Sequence, residues 1–284
     1  MHKTADFVRK NVFKILLILP AIYIFIFMFY PVLTILVKAF YNQDGLTMEY
    51  FARFFQTPLY GTVLKNTFVL SLTISIASLL LAYPVAYTMV KSGPKTRIVI
   101  NIILQITFWS SLLVRTYAWI IMLQKQGVIN SVLQATGLIE EPLQLLHTHL
   151  GVICGMTYLM IPYMVFSLTA VMEQINPNLL TASSNLGASS VRTFFSIFLP
   201  LSMPGVIAGF TIVFLNSLGY YIVPALLGSE KNTMMSQLIQ TQISKVLDWN
   251  FAAAISIVLI VVTVLVMMLS QRFGRVRGTR GGLS

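Results

Sequence analysis

The chain has 284 residues, 57% of them hydrophobic and only 10% charged, with a mean hydropathy of +0.82. So little charge on so much apolar surface excludes a soluble globular domain and points to a polytopic membrane protein. The formal net charge of +11 is accounted for by topology and by attraction to a membrane surface, and gives no ground for nucleic-acid binding.

A run of about 20 apolar residues crosses a hydrocarbon core of about 30 Å. Six such runs occur, over about 14–37, 63–90, 98–122, 149–171, 204–226 and 251–271, so residues 1–284 read as a single all-α transmembrane domain. The first follows Lys3, Arg9, Lys10 and Lys14 as a signal peptide would, but its length and the lack of a small-x-small cleavage site before Tyr30-Pro31 favour a retained helix. Six spans put both termini on one side. That side carries twelve basic residues: the four just named, Lys91, Lys95 and Arg97, Arg192, and Arg272, Arg275, Arg277 and Arg280. The opposite side carries six, Lys38, Arg53, Lys65, Lys125, Lys231 and Lys245, so the termini, the 91–97 loop and the segment after the fourth span are assigned to the cytoplasm.

Polar residues inside spans are costly and mark candidate function. The second span carries Asn66, Thr67, Ser71, Thr73, Ser75 and Ser78, which suit a pore or bonds back to their own helix. Arg115, within Leu113-Val114-Arg115-Thr116-Tyr117, suits an anionic substrate group, the partner subunit, or snorkelling to the outer surface. Cys154, the sole cysteine, reads as a small buried hydrophobe. In the fifth span Asn216, Ser217, Gly219, Tyr220 and Tyr221 precede Pro224 and suit a cavity lining or helix-to-helix bonding. The glycine pairs Gly151/Gly155 and Gly205/Gly209 predict close helix packing. Met234, Met235, Leu238, Ile239, Ile243, Val246 and Leu247 predict an amphipathic outer helix, with Asp248 capping the last span.

Between the fourth and fifth spans lies a polar island, residues 172–203. Asn176 and Pro177 suit a helix start and Gly187 a left-handed stop. A second short helix is expected from Ser189 or Ser190 to Pro200, with Arg192 on its polar side. No glycine is followed by lysine, so no phosphate-cradling P-loop can form. His2, His147 and His149 are the only histidines, the latter two near an outer edge, and no acid lies within a span to build a hydrolytic or metal site or to bind a coupling ion. An ion-driven secondary transporter and a membrane enzyme are therefore the weaker readings, and the chain itself is read as non-catalytic.

Thr181-Ala182-Ser183, Gly187 and Leu199-Pro200 resemble the cytoplasmic Glu-Ala-Ala loop of permease subunits of bacterial ABC importers. Leu113 to Trp119, Gly127 to Asn130, Ile161-Pro162-Tyr163, Pro224 to Gly228 and Asp248-Trp249 are similar to the spermidine/putrescine-type branch. The resemblance implies a type I permease fold and an ATPase-coupling loop formed by Asn176, Pro177, Leu179, Leu180, Thr181, Ala182, Ser183, Leu186, Gly187, Arg192, Leu199 and Pro200. It implies a place in the bacterial inner membrane and, as partners, a second permease, two ATPases that bind the ATP and Mg, and a periplasmic substrate-binding protein. The chain then binds no cofactor of its own and carries a small organic solute past Arg115, Asn216, Ser217, Tyr220 and Tyr221. Polyamine is the first expectation and an amino-acid derivative or opine-like compound the second. Thr181 stands where the family has glutamate, and no acid occupies the fifth span, where relatives often carry two.

Overall fold

A computed structural model describes residues 16, 18, 20–42, 45–229 and 232–278, with side chains to residue 268. Lys3, Arg9, Lys10, Lys14, Lys231 and Arg280, and with them part of the charge count, lie outside the described residues. Among the described residues five helices are long and apolar enough to cross a membrane: α1 (Pro20–Phe40), α3 (Pro58–Lys91), α7 (His149–Met172), α9 (Ser190–Gly219) and α12, whose apolar part is Trp249–Met268. The expected third span is a bent pair instead. Helix α4 (Pro94–Trp109) is followed by α5 (Leu112–Leu123), and the stretch Leu112–Ala135 that α5 opens is bent by 99° from α4. Ser110 and Ser111 are extended there, and the Ser110 hydroxyl donates to the Thr107 carbonyl at 3.0 Å, which ends α4 by local competition with the helix ladder.

Shorter elements complete the chain. They are a two-residue hairpin, β1 (Tyr41–Asn42) with β2 (Gly45–Leu46), and helices α2 (Glu49–Gln56), α6 (Val128–Ala135), α8 (Pro177–Asn185), α10 (Ile222–Leu227) and α11 (Met235–Thr241).

The chain divides into two compact units, one of residues up to 58 with 239–260, the other of 59–238 with residues from 261. In the first, Ala39, Ala253 and Ala254 form a small core against Phe40, Tyr50, Phe51 and Ile257. Asp248 accepts from the Phe251 N–H at 2.9 Å, the expected cap of α12, and pairs with Arg53 at 3.0 Å. Arg53 also lies 4.2 Å from the centre of the Phe251 ring. The large apolar side chains of α1 are exposed, and none of its apolar window is buried within the chain.

The second unit is built around α7, whose Val152, Met156, Met160, Met164 and Leu168 are fully buried. The glycine pairs explain how its neighbours come so close. A Cβ on Gly209 of α9 would fall 2.7 Å from Met164 Sδ, and one on Gly205 would fall 3.0 Å from Val171 Cβ. A Cβ on Gly155 would fall 2.4 Å from Leu227 Cδ1 of α10. Cys154 departs from its sequence reading: it sits on the exposed face of α7. Its neighbours at 151, 152, 155 and 156 turn the opposite face inward, and the helical period carries the thiol outward. The predicted outer helix forms as α11 followed by a wide turn, Gln242–Val246, and stops where Leu247 adopts φ 62°.

Candidate functional site

The island folds largely from local chemistry. Asn176 caps α8 by accepting from the Asn178 N–H at 2.9 Å, and Pro177 takes the first helical position. At the other end Gly187 adopts φ +82°. The Gly187 N–H donates to Ser184 O at 3.0 Å and the Ala188 N–H to Ser183 O at 3.1 Å, the paired bonds of a left-handed glycine stop. Ser189 restarts the chain as a cap, accepting from the Arg192 N–H at 3.3 Å. The hydroxyls of Ser183 and Thr193 lie 2.9 Å apart and tie α8 to the first turn of α9.

The second short helix does not end at Pro200. It runs on into the fifth span as one helix, α9, because residues 194–198 form a wide turn in which the Leu199 N–H donates to Phe194 O, five residues back. This register leaves room for a residue with no N–H and for its ring, so Pro200 sits inside the run without breaking it. Leu199 is half-buried and Pro200 exposed.

The outward face of the elbow is apolar. Leu186 is 88% exposed and Leu179 46%, with Val191 and Phe195 exposed beyond them, whereas Leu180 turns inward against the core of the unit. Thr181, Ala182 and Arg192 are exposed, and Ser183 is buried. Thr181 Oγ donates only to its own helix, to Pro177 O at 3.4 Å. An ion pair between Arg97 and Glu173 joins the start of α4 to the end of α7, so the 91–97 loop and the island share one end of this unit.

The second group of candidate residues is brought together by three helices. Arg115 lies in the first turn of α5, immediately after the break, and its Nε is shielded from solvent without a hydrogen-bond partner. Tyr220 follows the last residue of α9, lies beside the Tyr163 hydroxyl of α7, and is within electrostatic reach of Arg115. The Ser236 hydroxyl donates to the Tyr220 carbonyl at 2.7 Å and fixes the chain where α9 stops. Tyr163 was missed as a site residue, although the Ile161-Pro162-Tyr163 motif was visible. Nothing in one sequence says which way its ring points.

The remaining candidates do not join this cluster. Asn216 donates back to Ile212 O at 2.8 Å, and Ser217 is fully buried with its hydroxyl unpaired. Tyr221 is exposed. In α3, Thr67, Thr73 and Ser75 bond back to carbonyls four residues earlier, and Thr67 also accepts from the Met235 N–H at 2.8 Å. These hydroxyls satisfy helix packing. No cluster of three or more metal-ligating side chains occurs among the described residues.

Five membrane-length helices among the described residues, two of them joined by a capped, apolar-faced elbow, define a multi-pass membrane protein. Residues 1–276 match the family of binding-protein-dependent transport system inner membrane components, and the chain belongs to that family. It is 34% identical over 257 residues to the spermidine/putrescine transport system permease protein PotB of Escherichia coli K12, covering 88% of this chain and 93% of that one. The inner membrane ABC transporter permease protein YdcU of the same organism is 30% identical over 281 residues, 92% of this chain and 89% of its own. The fold is also that of a bacterial alginate ABC transporter crystallised with an alginate pentasaccharide-bound periplasmic protein. There the TM-score is 0.77 and the identity 20%, over 98% of this chain and 99% of that chain. The protein is accordingly a type I permease subunit of an ABC importer, non-catalytic, with ATP hydrolysed by a separate partner.

Proposed function

We propose that the whole chain works as one transmembrane permease domain in the bacterial inner membrane, with both termini and the island in the cytoplasm. It pairs with a second permease, two ATPases and a periplasmic substrate-binding protein, and admits a small organic amine of the polyamine class. The amine rests on the likeness to the spermidine/putrescine permease. The single observation that supports the coupling role is α8, a rigid helix capped at both ends whose exposed side chains include Leu179 and Leu186. Exposed apolar residues on a rigid lever are what a soluble partner can grip and push. With Thr181 in place of the family acid, that grip is made by shape and apolar contact.

Deletion of residues 178–187 tests this reading. The six spans should still insert, and the ATPase should be lost from the purified complex. Stoichiometric ATPase on the deleted complex would remove α8 from the coupling role.

A second cargo, an amino-acid derivative that carries a carboxylate, is favoured by one observation: Arg115 has no partner and lies near Tyr220. Within the spans the sequence offers a cation no carboxylate, so a bare polyamine would meet this subunit through tyrosine rings and carbonyls. Competition for uptake between putrescine and 4-aminobutyrate separates the two cargoes.

A further inference from the structure

Behind α8, on the side away from Leu179 and Leu186, lies a recess of about 200 Å³. Its lining comes from three elements: Tyr87 and Lys91 from the last turns of α3, Leu180 and Ser184 from α8, and Ala188, Ser190, Thr193, Phe194 and Phe198 from the elbow and the start of α9. The polar groups are one ammonium and four hydroxyls, and no acid lines the space. Lys91 Nζ stands 5.8 Å from the centre of the Phe198 ring, and the Tyr87 ring packs edge-on against Phe194 and Phe198 at 5.6 and 5.0 Å. Among the described residues the Tyr87 and Ser190 hydroxyls and the Lys91 ammonium have no hydrogen-bond or ion-pair partner.

Such a lining selects an anion with an apolar attachment. Several donors around one cation suit the oxygens of a phosphodiester. The aromatic wall suits the glycerol and acyl part that follows. Depth points the same way: Tyr87 and Lys91 close a spanning helix at the end that also carries Arg97 and the island, where an aromatic ring and a lysine sit at headgroup level. Basic pockets at that level between transmembrane helices are where anionic headgroups bind.

We propose that this recess is a headgroup site for an anionic phospholipid of the leaflet on the island's side. The phosphate is held by Lys91 with the hydroxyls of Tyr87, Ser190 and Thr193, since the Ser184 hydroxyl donates to the Thr181 carbonyl at 2.8 Å and Ser183 can supply the proton of its bond to Thr193. A lipid seated there joins the end of α3 to α8 and to the root of α9, so it stiffens the elbow and makes coupling depend on lipid charge. The effect on coupling rests on the reading of α8 as the element that meets the ATPase. Retention of the lipid does not.

The test uses the complete importer in nanodiscs of phosphatidylcholine alone or with about a third phosphatidylglycerol. Native mass spectrometry reads lipid retention, and binding-protein-stimulated ATP hydrolysis reads coupling. Wild type is expected to retain phosphatidylglycerol through dilution into phosphatidylcholine and to hydrolyse ATP about five-fold faster in the anionic discs. Lys91→Gln should lose both effects, and Lys91→Arg should keep them. Ser190→Ala should weaken retention with the complex intact.

Equal retention by wild type and Lys91→Gln overturns the site. Retention that follows Lys91 with no change in hydrolysis leaves the lipid site standing and sinks the elbow reading. Inorganic phosphate that reproduces the stimulation in phosphatidylcholine discs assigns the recess to a small anion and overturns the lipid. Loss of ATPase subunits from Lys91→Gln in every lipid assigns it to an acidic side chain of the ATPase, and overturns the proposal likewise.

Discussion

The island and the Arg115 cluster are both polar interruptions in an apolar chain, yet they are made in opposite ways. In the island, the first cap, the proline, the glycine stop and the second cap lie within 14 consecutive residues, Asn176 to Ser189, and each acts on backbone groups close by in sequence. In the cluster, Arg115, Tyr163 and Tyr220 come from three helices, and their meeting depends on a 99° break and on glycine-mediated contact between α7 and α9. Under the roles we propose, a coupling element that is pushed gains from local self-sufficiency, and a pathway that rearranges gains from groups held by packing between helices, which move when the helices move.

The largest effect should come from a residue in neither region. Gly209→Leu places side-chain atoms where a single Cβ would already be 2.7 Å from Met164 Sδ. Overpacking of this kind costs about 1–3 kcal/mol or more, and here Ser167 Cβ, 3.1 Å from the same point, is fixed to its helix and cannot swing aside. Size-exclusion profiles of the purified complex should show loss of the monodisperse species. A normal profile together with an unchanged pathway would end the contrast, because the cluster would then not depend on helix packing.

A smaller effect is expected within the island. Gly187 sits at φ +82°, where a β-branched residue is strained by about 1–2 kcal/mol and asparagine is better tolerated. Gly187→Val should therefore lower solute-stimulated ATP hydrolysis several-fold, with Gly187→Asn close to wild type and both complexes intact. Equal activity of the two variants would show that the left-handed stop does not shape the elbow.

The smallest effect belongs to the cluster. Tyr220→Phe removes a hydroxyl that lies beside Tyr163, an effect no larger than one hydrogen bond of about 0.5–1.5 kcal/mol, and should shift apparent uptake affinity by a few-fold without altering assembly. Arg115→Gln should impair uptake more than Tyr220→Phe while basal hydrolysis persists. Loss of the assembled complex instead would make Arg115 a structural residue and return the pathway to other groups.

Legibility in the sequence followed the range of the interaction. Asn176, Pro177, Gly187, Ser189 and Asp248 were readable because caps and stops act within about five residues. The reading of Pro200 as a terminator failed because a wide turn absorbed it, and residue type alone does not reveal hydrogen-bond register. Asn216 and the hydroxyls of α3 carried an ambiguous signal, since a polar side chain in a span serves a pore or its own backbone equally well, and most bonded back. Tyr163 joined the candidate cluster only when α7 turned it toward Tyr220.

By itself the sequence determined that the chain lives in a bilayer, where its long apolar segments fall, which loops carry the basic charge and where the island's first helix begins and ends. Each of these follows from transfer free energy or from backbone chemistry counted over a few neighbouring residues. Tertiary structure decided that the third span is broken, that Cys154 faces outward, and that the glycine pairs serve contacts within the chain. It also decided that Lys91 and the hydroxyls of the elbow enclose one recess. Those outcomes depend on which helix faces meet, and close packing settles that only when the whole unit is assembled.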